Sequence, residues 1–485
     1  MGLLGILLGL GLLVWLAFRG WSILLLAPAA ALIAAGFAGE PLLAHWTETF
    51  MNSGARFVGQ FFPLFLLGAL FGKLMDDSGS VSSIAAFMTE KLGPSRAILA
   101  VVLAGALVTY GGVSLFVAFF VLAPMAQALF RAAAIPRRLM PGAITLGTST
   151  FTMSALPGTP SIQNAIPMPF FGTTPFAAPG LGIIASLIML GFGMWWLRRA
   201  EQKARLRGEG FGDEATPVAD PALVNDPVLR ERASTAREFD PPELAHSAHS
   251  DKLPPIVIAI LPLGVVVLVN LLMSMVVLPR IDAGFLAEAQ WGGTSLAAVG
   301  GVWSVATALA AAIAVLIALN ARRLPSLRAT MDAGANASVL PILSVASLVG
   351  FGAVVAALPA FEAVRDWVLG IGGGPLVSLA VATNVLAALT GSASGGMTIA
   401  LDALGPTYMA IAAQTGLDPG LMHRVAVIGA GTLDALPHNG AVVTMLAVCG
   451  CTHRESYMDI VMVSIVGALL GLIAVIVLGT LLGSF

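Results

Sequence analysis

Apolar runs follow one another along almost the whole chain, and this succession limits the possible folds more than any single motif. In the first half they cover residues 3–18, 21–38, 57–75, 97–109, 113–130, 139–156, 161–171 and 181–197. In the second half they cover 254–278, 297–319, 337–358, 376–389, 397–413, 421–436, 441–449 and 458–482. Soluble domains carry about 25% charged residues. This chain carries 10%, against 58% hydrophobic residues and a mean hydropathy of +0.92. Backbone groups inside a bilayer need partners within their own segment, so such runs become helices. The expected fold is an all-α polytopic membrane protein with the lipid bilayer as its solvent.

One stretch breaks the pattern. Residues 198–253 mix both charge signs with Pro, Ala and Ser and show no apolar period, which reads as a solvated linker beginning as a helical extension. The expected organisation is a first membrane repeat at 1–197, a cytoplasmic polar linker at 198–253 and a second membrane repeat at 254–485. His246 and His249, one helical turn apart, read as part of the solvated linker. The start, Met1-Gly2-Leu3-Leu4, lacks the basic region and cleavage site of a signal peptide, and Ile6 stands where a myristoylation signal needs Ser or Thr. The first run is therefore expected to remain as a helix.

The second half repeats the landmarks of the first. Gly54 within Asn52-Ser53-Gly54-Ala55-Arg56 matches Gly334 within Asp332-Ala333-Gly334-Ala335-Asn336, an offset of 280. Ala155-Leu156-Pro157-Gly158 matches Ala435-Leu436-Pro437-His438 at 280, and Gly111-Gly112-Val113-Ser114 matches Gly395-Gly396-Met397-Thr398 at 284. Duplicated halves of this kind are common in secondary transporters. Positive charge orients them: Arg198, Arg199, Lys203, Arg205 and Arg207 place the linker in the cytoplasm. Lys73, Lys91, Arg96, Arg131, Arg137 and Arg138 share that side if the halves are inverted, which leaves both termini outside. Trp195, Trp196 and Trp291 read as interface anchors, His423 and Arg424 as outer-interface residues, His453 and Arg454 as inner ones, and Asp332 as a helix N-cap.

Two short segments have a different character. Residues 97–109 and 376–389 are roughly 20 Å long as helices, shorter than the roughly 30 Å hydrocarbon core. Each ends in glycines and hydroxyls and is followed by a second apolar arm. A re-entrant hairpin fits both, although charge alone also permits two short crossings. Each repeat is then about five spanning helices plus a re-entrant hairpin and an interrupted helix.

The breaks concentrate chemistry suited to an anion. Unpaired N–H groups at a helix N-terminus, with about half a positive charge, favour a carboxylate without trapping it. Four N-termini are expected to converge: after Gly112, after Gly158-Thr159-Pro160, after Gly396 and after Asn439-Gly440. The candidate substrate-binding residues are Gly111, Gly112, Ser114, Thr159, Ser161, Ser392, Ser394, Gly395, Gly396, Thr398, His438 and Asn439. Any one of these hydroxyls is also able simply to bond its own helix backbone. Titratable groups fall only in the second half, where Asp402, Asp434 and His438 are the candidates for carrying a coupling proton; their counterparts at the same offsets are Ala118, Ser154 and Gly158.

The Gly391–Gly396 tip, the break from Asp434 to Gly440, and Cys451-Thr452-His453-Arg454-Glu455-Ser456-Tyr457 resemble the gluconate:proton symporter (GntP) family, particularly members assigned as D-3-hydroxybutyrate permeases. The resemblance extends over nearly the whole chain. It implies inverted repeats, a mobile transport unit moving past a scaffold, homodimerisation, and proton-coupled uptake of a small hydroxy-monocarboxylate across a bacterial inner membrane. Gluconate is the alternative substrate, and sodium the alternative coupling ion, since unwound carbonyls can bind it.

Other classes fit poorly. A net charge of −2 offers no basic face for nucleic acid. Cys449 and Cys451 are too few for a disulfide framework and are not spaced as a zinc site, so no metal or cofactor is expected. No paired catalytic aspartates or nucleophile with a partnered base is visible, which argues against an intramembrane hydrolase, and no ring-forming filter motif argues for a channel.

Overall fold

The apolar runs become helices, and the polar motifs become the places where helices stop. The computed structural model describes residues 1–485 except 18, 213–225, 228–229, 231–239, 247 and 251. The principal helices of the first half are α1 (Gly2–Ala17), α2 (Ile23–Ala38), α3 (Met51–Asp77), α4 (Ser80–Leu92), α5 (Ala97–Tyr110), α6 (Leu115–Ala132), α7 (Met140–Thr148), α8 (Pro167–Phe171) and α9 (Pro179–Leu206). Those of the second half are α10 (Ile256–Leu272), α11 (Leu296–Asn320), α12 (Leu327–Ala337), α13 (Val339–Ala357), α14 (Phe361–Leu369), α15 (Pro375–Thr390), α16 (Ala393–Thr415), α17 (Pro419–Thr432), α18 (Gly440–Val448), α19 (His453–Ile460) and α20 (Gly467–Leu482). No strand occurs among the described residues.

Seven helical stretches among them are long and apolar enough to cross a membrane. Several others fall short: α1 and α2 have 16 residues each, roughly 24 Å of helix against a hydrocarbon core of roughly 30 Å. The linker does begin as a helix, because α9 runs on to Leu206.

The two halves interlock. The α1–α2 pair opens the first half and α10–α11 the second, and each pair packs on the other half: α2 lies against α13, and α11 against α3. Helices α3 and α13 also pack together. The glycine landmarks sit at this crossing. A Cβ on Gly54 would press on the carbonyl of Ala346, and one on Gly334 on the backbone of Leu70, so each half needs its glycine where the opposite half crosses it.

Each half then forms a helical hairpin and a broken helix. Hairpin arms α5 and α6 pack together, as do α15 and α16, and the first arm of each also packs on the following broken helix, α7 or α17. Helix α4 meets the segment leading into α5 at a bend of 99°. The first break spans the irregular stretch between α7 and α8, and the second joins α17 to α18 through a short turn at Leu433–Ala435.

Helix starts correct one alignment. Ser114 caps α6 and Ser392 caps α16, an offset of 278, and Ser161 and Asn439 begin the helices after the two breaks at that same offset. Gly395 and Gly396 therefore do not match Gly111 and Gly112, and α16 begins at Ala393 rather than after Gly396. Those two glycines lie inside α16, where a Cβ on Gly396 would fall on the backbone of Ala387 in the facing arm. Gly396 allows close approach of the hairpin arms, and Gly395 makes room for Leu348 of α13. The expected N-cap Asp332 also lies inside a helix: Ser326 caps α12, while Asp332 sits 3.6 Å from Arg328 one turn away.

Candidate functional site

The first tip and the first break share a small cavity. Gly112, Val113 and Ser114 of the tip line it with Pro160 and Ser161 of the break and with Leu64, Phe65 and Gly68 of α3. The hydroxyls here mostly serve the chain's own turns. Ser114 Oγ accepts from Phe116 N, Thr159 Oγ1 accepts from Ser161 N at 3.4 Å, and Ser161 Oγ donates to Met153 O across the break at 2.9 Å. Gly111 packs against Leu263 of α10 rather than facing that cavity.

The second tip and break are joined by direct hydrogen bonds. Asp434, only 4% exposed, accepts from the backbone N–H of Ala393 at 2.9 Å and from Asn439 Nδ2 at 2.8 Å, both at Oδ1. Asn439 Nδ2 also reaches Gly391 O at 2.9 Å, while its Oδ1 caps α18 by accepting from Ala441 N and Val442 N. His438 Nε2 donates to Ala388 O at 3.1 Å. A carboxylate thus rests on the first N–H of α16, whose positive end suits an anion. Ser392 Oγ accepts from Gly395 N and lies 3.2 Å from Ser394 Oγ; Thr398 Oγ1 donates back to Ser394 O.

The far side of this break is braced by the motif after Cys451. His453 Nε2 donates to Pro437 O at 2.7 Å, and Tyr457 donates to Ala435 O at 3.1 Å. The four N-termini do not meet in one chamber. The first pair shares the cavity described above, whereas Asp434 and Asn439 line another with Phe119, Thr145, Ser149 and Ser464.

The first break is held by residues placed at the membrane surface by sequence reasoning. Arg424 and His423 are fully buried. Arg424 donates to Ala177 O, Ser154 O and Asn164 Oδ1 at 2.7–3.3 Å, and His423 contacts Thr173 Oγ1 at 2.6 Å and Asn164 Oδ1 at 3.1 Å. Asn270 of α10 donates to Gly158 O, and Tyr110 to Pro157 O. The signal missed was a full charge inside an apolar run that packs on the opposite half. Trp195 and Trp291 are exposed, as anchors require, but Trp196 donates to Asp459 at 2.9 Å.

Asp402 lies away from both tips. It sits nine residues into α16, exposed, in a separate surface cleft with Thr398 and with Arg56 of α3. His246 and His249 of the linker are exposed as expected, although part of the described linker docks on α3. His249 lies 3.0 Å from Asp76 at the end of α3, beside the fully buried pair Lys73–Asp77 at 3.1 Å, and Lys73 donates to Leu244 O. The hydrogen bond to Asp76 raises the His249 pKa above its ordinary value, against the opposing effects of burial and Lys73.

Residues 1–169 match the GntP family permeases. An uncharacterized transporter of Bacillus subtilis strain 168, YxjC, is 40% identical over 473 residues, covering 96% of each chain. The crystal structure of the YdaH transporter of Alcanivorax borkumensis, reported to have an unusual topology, superposes with a TM-score of 0.53 at 16% identity, over 90% of this chain and 87% of that one. That last likeness is one of fold.

Proposed function

This chain belongs to the GntP family of permeases, and on that premise we propose that it is a proton-coupled symporter importing a small hydroxy-monocarboxylate, D-3-hydroxybutyrate ahead of gluconate. It is a multi-pass secondary transporter rather than an enzyme. The observation that carries the finer reading is the hydrogen bond from Ala393 N to Asp434. The protein's own carboxylate already occupies an anion position at the start of α16. Protonation of Asp434 removes the charge that holds it there, and the substrate's carboxylate takes over the vacated N–H. Proton and anion then enter as a pair, and the hairpin tip leaves the break only when both are present.

Proton rather than sodium is favoured by how the tip carbonyls are used. Ala388 O, Gly391 O and Ser392 O each accept a side-chain donor, from His438, Asn439 and Thr390, which lowers their availability to a cation. In this reading the hairpins are re-entrant and the repeats inverted. They move with the broken helices past a scaffold that includes α1, α2, α10 and α11, and the scaffold mediates a homodimer in a bacterial inner membrane. The linker is cytoplasmic and both termini lie outside.

The test is uptake of labelled D-3-hydroxybutyrate into proteoliposomes under an imposed pH gradient, with and without sodium and with gluconate as competitor. Proton-driven uptake that resists gluconate supports the reading. Uptake that needs sodium at fixed pH overturns the coupling, and preferred uptake of gluconate overturns the substrate.

A further inference from the structure

Helix α3 carries polar groups that the two tips do not use. Ser53, Arg56 and Gln60 recur at three- and four-residue spacing, so they share one helix face. They form one wall of a surface cleft whose polar residues on the other side are Thr398 and Asp402 of α16, with Phe170 of α8 and Val349 of α13 completing the lining. The same face of α3 continues through Leu64 to Gly68, which border the cavity at the first tip. Phe57 and Phe61 also line the cleft, and Phe65 lines the cavity. The Phe57 ring centroid lies 4.9 Å from that of Phe61 and 6.4 Å from that of Phe65.

Arg56 and Asp402 face the same cleft and attract each other across it, yet among the described residues no contact short enough for an ion pair joins them. A structural tie between two helices would close into one. What remains is a guanidinium and a carboxylate on opposite walls, with Gln60, Ser53 and Thr398 as neutral neighbours. The cleft lies toward the end of α3 remote from the linker, since Arg56 and Asp77 are separated by roughly 32 Å of helix.

We propose that this cleft is an outer capture site for a hydroxy-monocarboxylate, with Arg56 receiving the carboxylate and Asp402 accepting a hydrogen bond from the hydroxyl. The inference rests on the transport reading above and adds a second station to it. A guanidinium matches a carboxylate in shape and charge. An acid without the hydroxyl leaves Asp402 without its donor, and sites that bond a substrate hydroxyl reject the analogue lacking it. A dicarboxylate sets its second charge against Asp402. Because one wall belongs to α3 and the other to an arm of the second hairpin, the captured acid bridges two units that the transport reading sets in relative motion. From there the α3 face leads past the phenylalanines to the first tip.

The test compares wild type with Arg56→Gln, Arg56→Lys and Asp402→Asn in proteoliposomes, using counterflow at equal pH so that accumulation against a gradient is not required. Labelled D-3-hydroxybutyrate is the substrate, and butyrate the competitor lacking the hydroxyl. Arg56→Gln is expected to raise the half-saturating concentration about tenfold while the maximal rate stays within twofold, with Arg56→Lys intermediate. Asp402→Asn is expected to narrow a preference for D-3-hydroxybutyrate over butyrate by about tenfold. A merely structural role would lower the maximal rate and leave the preference intact. An unchanged half-saturating concentration in Arg56→Gln, or an unchanged preference in Asp402→Asn, overturns the capture site alone. If wild type moves neither acid, the substrate assignment itself fails and the capture site with it.

Discussion

The two breaks stand at corresponding places in the chain and are held by different chemistry. The first is fastened by a fully buried Arg424, by His423 and Asn164, and by Asn270 and Tyr110, which donate to Gly158 O and Pro157 O. The second is fastened to its hairpin tip through Asp434 and Asn439 and braced by His453 and Tyr457. Guanidinium retains its charge at any physiological pH. A carboxylate can lose its charge, so the second fastening can be released by a proton. On the proposed function, the two breaks divide their labour: the first serves as a fixed support and the second as the switch.

The largest effect is expected from breaking the fixed side. Arg424→Leu leaves Ala177 O, Ser154 O and Asn164 Oδ1 without that donor in a dry interior and should destabilise the protein on the order of 3–5 kcal/mol. Thermal unfolding in detergent checks this, and Arg424→Lys should rescue little because an ammonium cannot reproduce the fork of contacts. Asp434→Ala removes the acceptor of Ala393 N and Asn439 Nδ2, charge-assisted bonds worth roughly 1.5–3 kcal/mol, and should cost less stability than Arg424→Leu while lowering transport by about 10–100-fold. If the two variants show equal thermal shifts, the division into support and switch is wrong.

Asn439→Ala removes the ties to Gly391 and to Asp434 and the cap of α18, a cap being worth about 1 kcal/mol, but it leaves the Asp434 carboxylate and its bond to Ala393 N in place. Its transport defect should therefore be smaller than that of Asp434→Ala. The smallest effect belongs to His249, a titratable tie outside the membrane. Its pKa is raised in the folded protein by Asp76, so its contribution is full below about pH 6.5 and fades as pH rises through the raised value. Linker proteolysis should increase over that rise, and His249→Gln should flatten it. The pH dependence of transport should survive in the same variant, which separates the linker tie from the switch at the second break.

Sequence reasoning reached the architecture because lipid leaves few choices: apolar length dictates helices, and polar motifs inside apolar runs mark where they stop. The short arms Ala97–Tyr110 and Pro375–Thr390 and both breaks were legible for that reason. Gly395 and Gly396 misled the alignment because a glycine at a tip and a glycine at a close helix crossing look alike in sequence; only their neighbours, Leu348 for Gly395 and the facing backbone of Ala387 for Gly396, separate them. Arg424 was misplaced because its surroundings are supplied by Ser154, Asn164 and Ala177, which lie some 250 residues away in the sequence. The bond between Asp434 and Ala393 was likewise invisible, although both lie in motifs that sequence reasoning singled out.

The central claim is that the second break carries the coupling proton. The most direct measurement is of two processes in the same Asp434→Asn proteoliposomes: counterflow of D-3-hydroxybutyrate at equal pH, and its accumulation driven by a pH gradient. Asparagine keeps a neutral acceptor toward Ala393 but does not titrate. The account predicts that counterflow persists while gradient-driven accumulation is lost. Gradient-driven accumulation at the wild-type level in Asp434→Asn would contradict it, and would move the coupling proton away from the contact between hairpin tip and break.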